Sequence, residues 1–128
     1  MFSVNDDRML IWLNDRSPAA GSFAKNFLLN YNGNGSGSDG MAKATGINGN
    51  PKAYTAAGNA KIYAAQEAAD FIGVPFSDGR VPDLIGIAQY GTVYTGGTKK
   101  SAEHGGDIPQ DRDVPILIAG GSIAIGAN

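Results

Sequence analysis

Residues 30–51, NYNGNGSGSDGMAKATGINGNP, constrain this chain more than any other stretch, because a run of glycine, asparagine and serine has too little apolar surface to pack a core. It reads as a loop over about 30–53, and any core has to be assembled from the apolar segments on either side of it. A connection of about 25 residues without structure of its own is uncommon inside a compact domain. It signals a functional loop, a disordered one, or a surface that another part of the protein covers.

On the N-terminal side, RMLIWLND at residues 8–15 is a short apolar run closed by Asn14-Asp15, the pattern of a strand. SPAAGSFAKNFLLNY follows, with Ser17 in a capping position and Pro18 at the first helical position, where its missing N–H costs nothing. Ala20, Phe23, Ala24, Phe27, Leu28 and Tyr31 recur at helical spacing, which predicts an aromatic-rich face laid on a sheet.

Beyond the loop, YTAAGNAKIYAAQEAADFIG at residues 54–73 reads as one helix, capped at Thr55 and stopped at Gly73, with Pro75 preventing continuation. Its stripe of Ile62, Ala65, Ala69 and Ile72 is narrow and allows close approach to whatever lies beneath. VPDLIGIAQYGTVYTGG at residues 81–97 predicts a strand from Leu84 to Ala88, a turn at Gln89–Gly91 and a second strand from Thr92 to Thr95. DVPILIAGG at residues 113–121 is a further apolar run of strand length, of the kind covered on both faces, and the tail SIAIGAN carries no charge. The order β, α, long loop, α, β, β, β implies an α/β protein, a small mixed sheet with two helices packed on it.

At this length the chain buries roughly two-thirds of its unfolded surface, enough for one domain; residues 1–128 form a single domain or a domain fragment. Hydrophobic residues make up 42% and charged residues 17%, a globular composition. The net charge of -2 and the scattered basic residues leave no electrostatic footprint for nucleic acid or an anionic membrane. Without cysteine there is neither a disulfide framework nor a thiolate metal site. MFSVNDDRML places Asp6, Asp7 and Arg8 ahead of any apolar run, the reverse of a signal peptide, and no apolar run reaches the ~18 residues of a membrane span.

The chemistry-bearing residues cluster late. Glu103, His104, Asp107, Asp111 and Asp113 lie close together, and an imidazole with carboxylates is a ligand set for zinc or another divalent ion. The same residues also fit a plain histidine in a solvated loop, and local sequence does not separate the two. Gly105-Gly106 permits a positive φ or a close backbone approach, which would hold the imidazole in a crowded place, or forms an ordinary turn. Glu103 and His104 as an acid and base pair is a weaker reading, since adjacent turn residues rarely converge on one atom. NGNGSGSDG follows a helix and lacks a Gly-Lys-Ser/Thr ending, so phosphate-loop mechanics do not apply.

Residues 81–118, with Pro82-Asp83-Leu84, His104-Gly105, Asp111 and Val114-Pro115, resemble the C-terminal part of the alkaline phosphatase superfamily, in its type I phosphodiesterase and nucleotide pyrophosphatase branch. SDGRVPDLIG and AEHGG carry the match. The upstream segments NDDRMLIWLNDRSPAAGSFAKNFLL and YTAAGNAKIYAAQEAADFIGVPFSD also look like stretches that precede this element in bacterial members.

The resemblance implies a partial alkaline-phosphatase-like fold. It also implies that His104 is a ligand of one of two catalytic metal ions, usually zinc. The family's nucleophile, its early Asp, its Asp-x-x-x-His pair and its Asp-His-Gly element have no counterpart here. A zinc ion needs three or four protein ligands, so the chain is expected to be inactive alone, its partner being the missing N-terminal part of a parent hydrolase. One departure is Asp113, where relatives often carry His. Family members are often exported, which leaves localisation open. The alternative is a non-catalytic structural or self-assembling module that retains part of the hydrolase fold, with self-association through a sheet edge.

Overall fold

The computed structural model describes residues 1–5, 7–95 and 104–117. Glu103 and the end of the apolar run at 118–121 lie outside them. Strand β1 (Phe2–Asn5) and strand β2 (Arg8–Trp12) form a hairpin, followed by helix α1 (Pro18–Leu29) and the long loop. Strand β3 (Asn59–Ala64), helix α2 (Gln66–Ile72), strand β4 (Leu84–Ala88) and the single turn of helix α3 (Pro109–Arg112) complete the described elements.

The protein is mixed α and β, and the four strands are ordered β1-β2-β4-β3 with every pairing antiparallel, so the sheet is not the mixed one expected. The reason lies in the connection between β3 and β4. Ala64 at the end of β3 pairs with Leu84 at the start of β4, so α2 and the turns behind it leave and rejoin the sheet at one end. Parallel strands would need a crossover that carries the chain back along the whole sheet.

β4 is central, and all five of its residues are buried, as its uninterrupted apolar run requires. One face of the sheet carries Met9, Ile11, Ile62, Ala64 and Leu84, covered by Ala24 and Leu28 of α1 and by Leu13 and Tyr94. The opposite face carries Ile85 and Ile87 with Leu10 and Tyr63, covered by Ala68 and Phe71 of α2 and by Ile108. Gly86 admits no side chain, because a Cβ there would meet the Asn59 side chain and the Met9 methyl group.

α1 begins as its sequence dictates: the Ser17 hydroxyl accepts from the Ala20 N–H at 3.2 Å, with Pro18 at the first position. Its buried face differs from the expected stripe. Gly21, Ala24 and Leu28 face inward, whereas Phe23 is 74% and Phe27 56% exposed. α1 comes close to the start of α2, where a Cβ on Gly21 would lie 3.7 Å from that of Ala65, and the phenylalanines are turned outward.

The single helix expected over 54–73 is instead a tight turn, a strand and a shorter helix. Ala56, Ala57 and Gly58 all take positive φ, which no helix continues, and residues 59–64 then extend to pair with β4. Gly73 ends α2 in the left-handed conformation, as expected. Residues 92–95 form no strand: Thr92 closes a turn on Gln89, and the Tyr94 hydroxyl donates to the Ala57 carbonyl at 2.9 Å, clasping the turn before β3. Residues 113–117 are likewise irregular, with Val114, Ile116 and Leu117 exposed rather than buried in a sheet.

The long loop has a scaffold of its own. Gly33 exchanges backbone hydrogen bonds with Tyr54, the Ala44 N–H donates to Gly35, and Lys52 donates to Ala44, so the segment folds back as an irregular ribbon.

Candidate functional site

His104 opens the last described segment and is solvent-exposed. It lines a shallow pocket of about 340 Å³ together with Val4, Asp7, Arg8, Leu10 and Gly105. Three parts of the chain meet there: the outer strand of the hairpin, the turn into β2, and the His-Gly-Gly segment. Gly105 has φ +106°, a conformation that side chains rarely adopt, and a Cβ on it would lie 3.8 Å from an Arg8 guanidinium nitrogen. Gly106 is held to glycine for a different reason, since a Cβ there would collide with the Asp111 carboxylate. Gly105 is therefore favoured by its backbone conformation, and Gly106 by the Asp111 carboxylate that lies against it.

Of the late acidic residues, Asp107, Asp111 and Asp113 lie among the described residues. Asp107 lies 3.7 Å from the Arg112 guanidinium, and Asp111 sits in the first turn of α3, with its N–H donated to the Ile108 carbonyl. Asp113 ends α3, its N–H donated to Pro109. Among the described residues no three of His, Asp and Glu lie together as a metal-sized group. The carboxylate that does share the His104 pocket is Asp7, buried to 7% exposure and fixed where its backbone carbonyl accepts from the Ala88 N–H at the end of β4.

Sequence reading missed Asp7 and Arg8. The available signal was the charged NDDR turn directly before an apolar strand, since a hairpin turn that begins the chain can meet a segment nearly a hundred positions later only through the sheet.

Asp83, in the Pro-Asp-Leu element, is a structural residue. Its carboxylate is 2% exposed, accepts from the Leu13 N–H and the Arg16 Nε, both at 2.8 Å, and so ties the end of β2 to the start of β4. Arg16 also donates to the Val81 carbonyl and lies over the Phe76 ring.

No protein-family model, curated protein or solved structure matches this chain.

Proposed function

We propose that this chain is one part of a metal-dependent phosphoric ester hydrolase of the alkaline phosphatase superfamily, in its type I phosphodiesterase and nucleotide pyrophosphatase branch. It supplies His104 as one ligand of a zinc site that other sequence completes. The observation that supports this is the placement of His104. The imidazole lies exposed at the rim of a pocket also lined by the buried Asp7 and by Arg8, on a turn where Gly105 takes a positive φ and Gly106 lies against the Asp111 carboxylate.

An imidazole with one nearby carboxylate fits a contribution to a zinc ligand set and falls short of the three or four ligands that hold the ion firmly. When bound, zinc polarises a phosphoryl oxygen and makes a nucleophile accessible at neutral pH. On this reading the four-stranded sheet is a margin of a larger, alkaline-phosphatase-like sheet.

The test is a zinc titration by calorimetry of wild type and His104→Ala, alongside hydrolysis of a nitrophenyl phosphodiester. The expected result is weak zinc binding that disappears in His104→Ala, with no chelator-sensitive hydrolysis. Tight stoichiometric binding indifferent to His104→Ala, or a chelator-sensitive rate from the chain alone, overturns the proposal.

A second reading, a non-catalytic module that assembles with copies of itself, is favoured by the exposure of Phe23 and Phe27 on α1 and of every residue of the uncharged edge strand β1. A monodisperse monomer at micromolar concentration in sedimentation would remove it.

A further inference from the structure

Three asparagines of the long loop are each followed by glycine: Asn32-Gly33, Asn34-Gly35 and Asn48-Gly49. In such a pair the side-chain amide is open to attack by the backbone, because glycine sets no Cβ beside the attacking nitrogen and lets the chain bend toward it. We propose that Asn48 is a site of spontaneous covalent modification in the folded protein, converting to aspartate and isoaspartate, while the fold protects Asn32 and Asn34. In the first step the Gly49 nitrogen bonds to the Asn48 Cγ and gives up its proton to solvent; the bond from Cγ to Nδ2 breaks and ammonia leaves, closing a five-membered imide. Water then adds to either imide carbonyl, leaving an aspartate or a β-linked isoaspartate. The only co-reactant is water, so the modification depends on neither the zinc site nor a partner.

Room separates the three pairs. Gly33 is walled by the Tyr54 side chain and Gly35 by the Lys52 backbone, each close enough to collide with a Cβ, so neither segment can swing its nitrogen onto the preceding Cγ without moving that wall. Their asparagines are also held. The Asn32 Oδ1 accepts from the Ala56 N–H at 2.9 Å, and the Gly33 N–H is donated to the Tyr54 carbonyl at 3.1 Å. The Asn34 Oδ1 accepts from the Ser36 N–H at 2.8 Å and the Ser36 hydroxyl at 2.7 Å, while its Nδ2 donates to the Ser38 hydroxyl at 3.4 Å. Asn48 stands instead at the tip of the ribbon, where residues 47–50 are all exposed and, among the described residues, a Cβ on Gly49 would meet nothing within 4 Å. One bond opposes the attack, from the Gly49 N–H to the Gly46 carbonyl at 2.9 Å. At an exposed tip water replaces that carbonyl at small cost. The Asn50 N–H, donated to the Asn48 Oδ1 at 3.1 Å, favours the attack by stabilising the negative charge that gathers on that oxygen.

The experiment incubates the full chain in mildly alkaline buffer, folded and in urea, and follows each asparagine by peptide mass spectrometry, with isoaspartate detected by enzymatic methylation. Cleavage after Lys43 separates the tip from Asn32 and Asn34. The expected result in the folded chain is conversion at Asn48 at least roughly tenfold faster than at Asn32 or Asn34, with the three rates drawing together in urea. Asn48→Gln, whose longer side chain closes an imide far more slowly, is expected to remove the early release of ammonia. Equal rates at the three sites in the folded chain, a lead by Asn32 or Asn34, or early ammonia release that persists in Asn48→Gln overturns the proposal. A lead by Asn48 that survives unchanged in urea also overturns it, because local sequence rather than the fold would then set the site.

Discussion

The carboxylate of Asp83 is shared between the backbone N–H of Leu13 and the guanidinium of Arg16, partners 70 and 67 positions away in sequence. Removing it leaves a part-buried donor unsatisfied and an arginine without its counter-charge at the junction of β2 and β4. Asp83→Ala is expected to cost about 3 kcal/mol, read as a lower urea midpoint with unchanged slope. Asp83→Asn should lose less, because its amide oxygen still accepts from Leu13. A midpoint for Asp83→Ala equal to wild type would show that the bond contributes nothing. The Pro-Asp-Leu element was legible as a motif, yet nothing local marks its aspartate as a brace rather than a ligand. That distinction is made by Arg16, brought in by the fold.

At the scale of the elements, what was legible followed from local chemistry. Ser17-Pro18 set the start of α1, Gly73 the end of α2, and the apolar run Leu84–Ala88 the central strand. What was misread depended on pairing. NAKIYA carries helix-tolerant alanines and becomes β3 because β4 offers it a buried edge, with Tyr94 and three successive positive φ values turning the chain into it. Residues 92–95 and 113–117, both expected in strands, form none in the structure.

The two helices are linked across the end of the sheet by Lys25 Nζ and Glu67 Oε2 at 2.6 Å. The Lys25 ammonium, then the Ala64 N–H, hold the Glu67 carboxyl below its ordinary value of 4.5. A depressed carboxyl stabilises the fold above pH 4.5 and loses that contribution as the pH falls through its lowered folded value. Lys25→Met is therefore expected to cost about 0.5 kcal/mol at neutral pH, as an exposed pair should. It should also show a shallower fall of the urea midpoint below pH 4.5, because only the Ala64 bond remains. Parallel pH curves for the two proteins would show that the link is idle.

The whole molecule has a sheet covered on both faces and an outer surface that is not finished in the same way. Phe23 and Phe27 stand on the outside of α1, where with Tyr31 and Met41 they line a shallow apolar depression of about 320 Å³ against the long loop. Neither phenylalanine belongs to the clusters on the sheet, so Phe23→Glu with Phe27→Glu is expected to leave the urea midpoint within about 0.5 kcal/mol of wild type. Exposed aromatic surface of this kind associates, and wild type is expected to sediment with a concentration dependence that the double variant lacks. The form of that association decides between the two readings of the chain. A surface that normally lies against the rest of a larger hydrolase has no reason to be complementary to itself, so copies should associate weakly and without fixed stoichiometry. A self-assembling module has a closed, symmetric interface and should settle at one stoichiometry, because identical surfaces that meet reciprocally terminate growth. A single sharp dimer abolished by the double variant would favour the module. A broad distribution that shifts with loading would favour the hydrolase part, and a monomer at every concentration would show that the aromatic face of α1 is not a contact surface between copies.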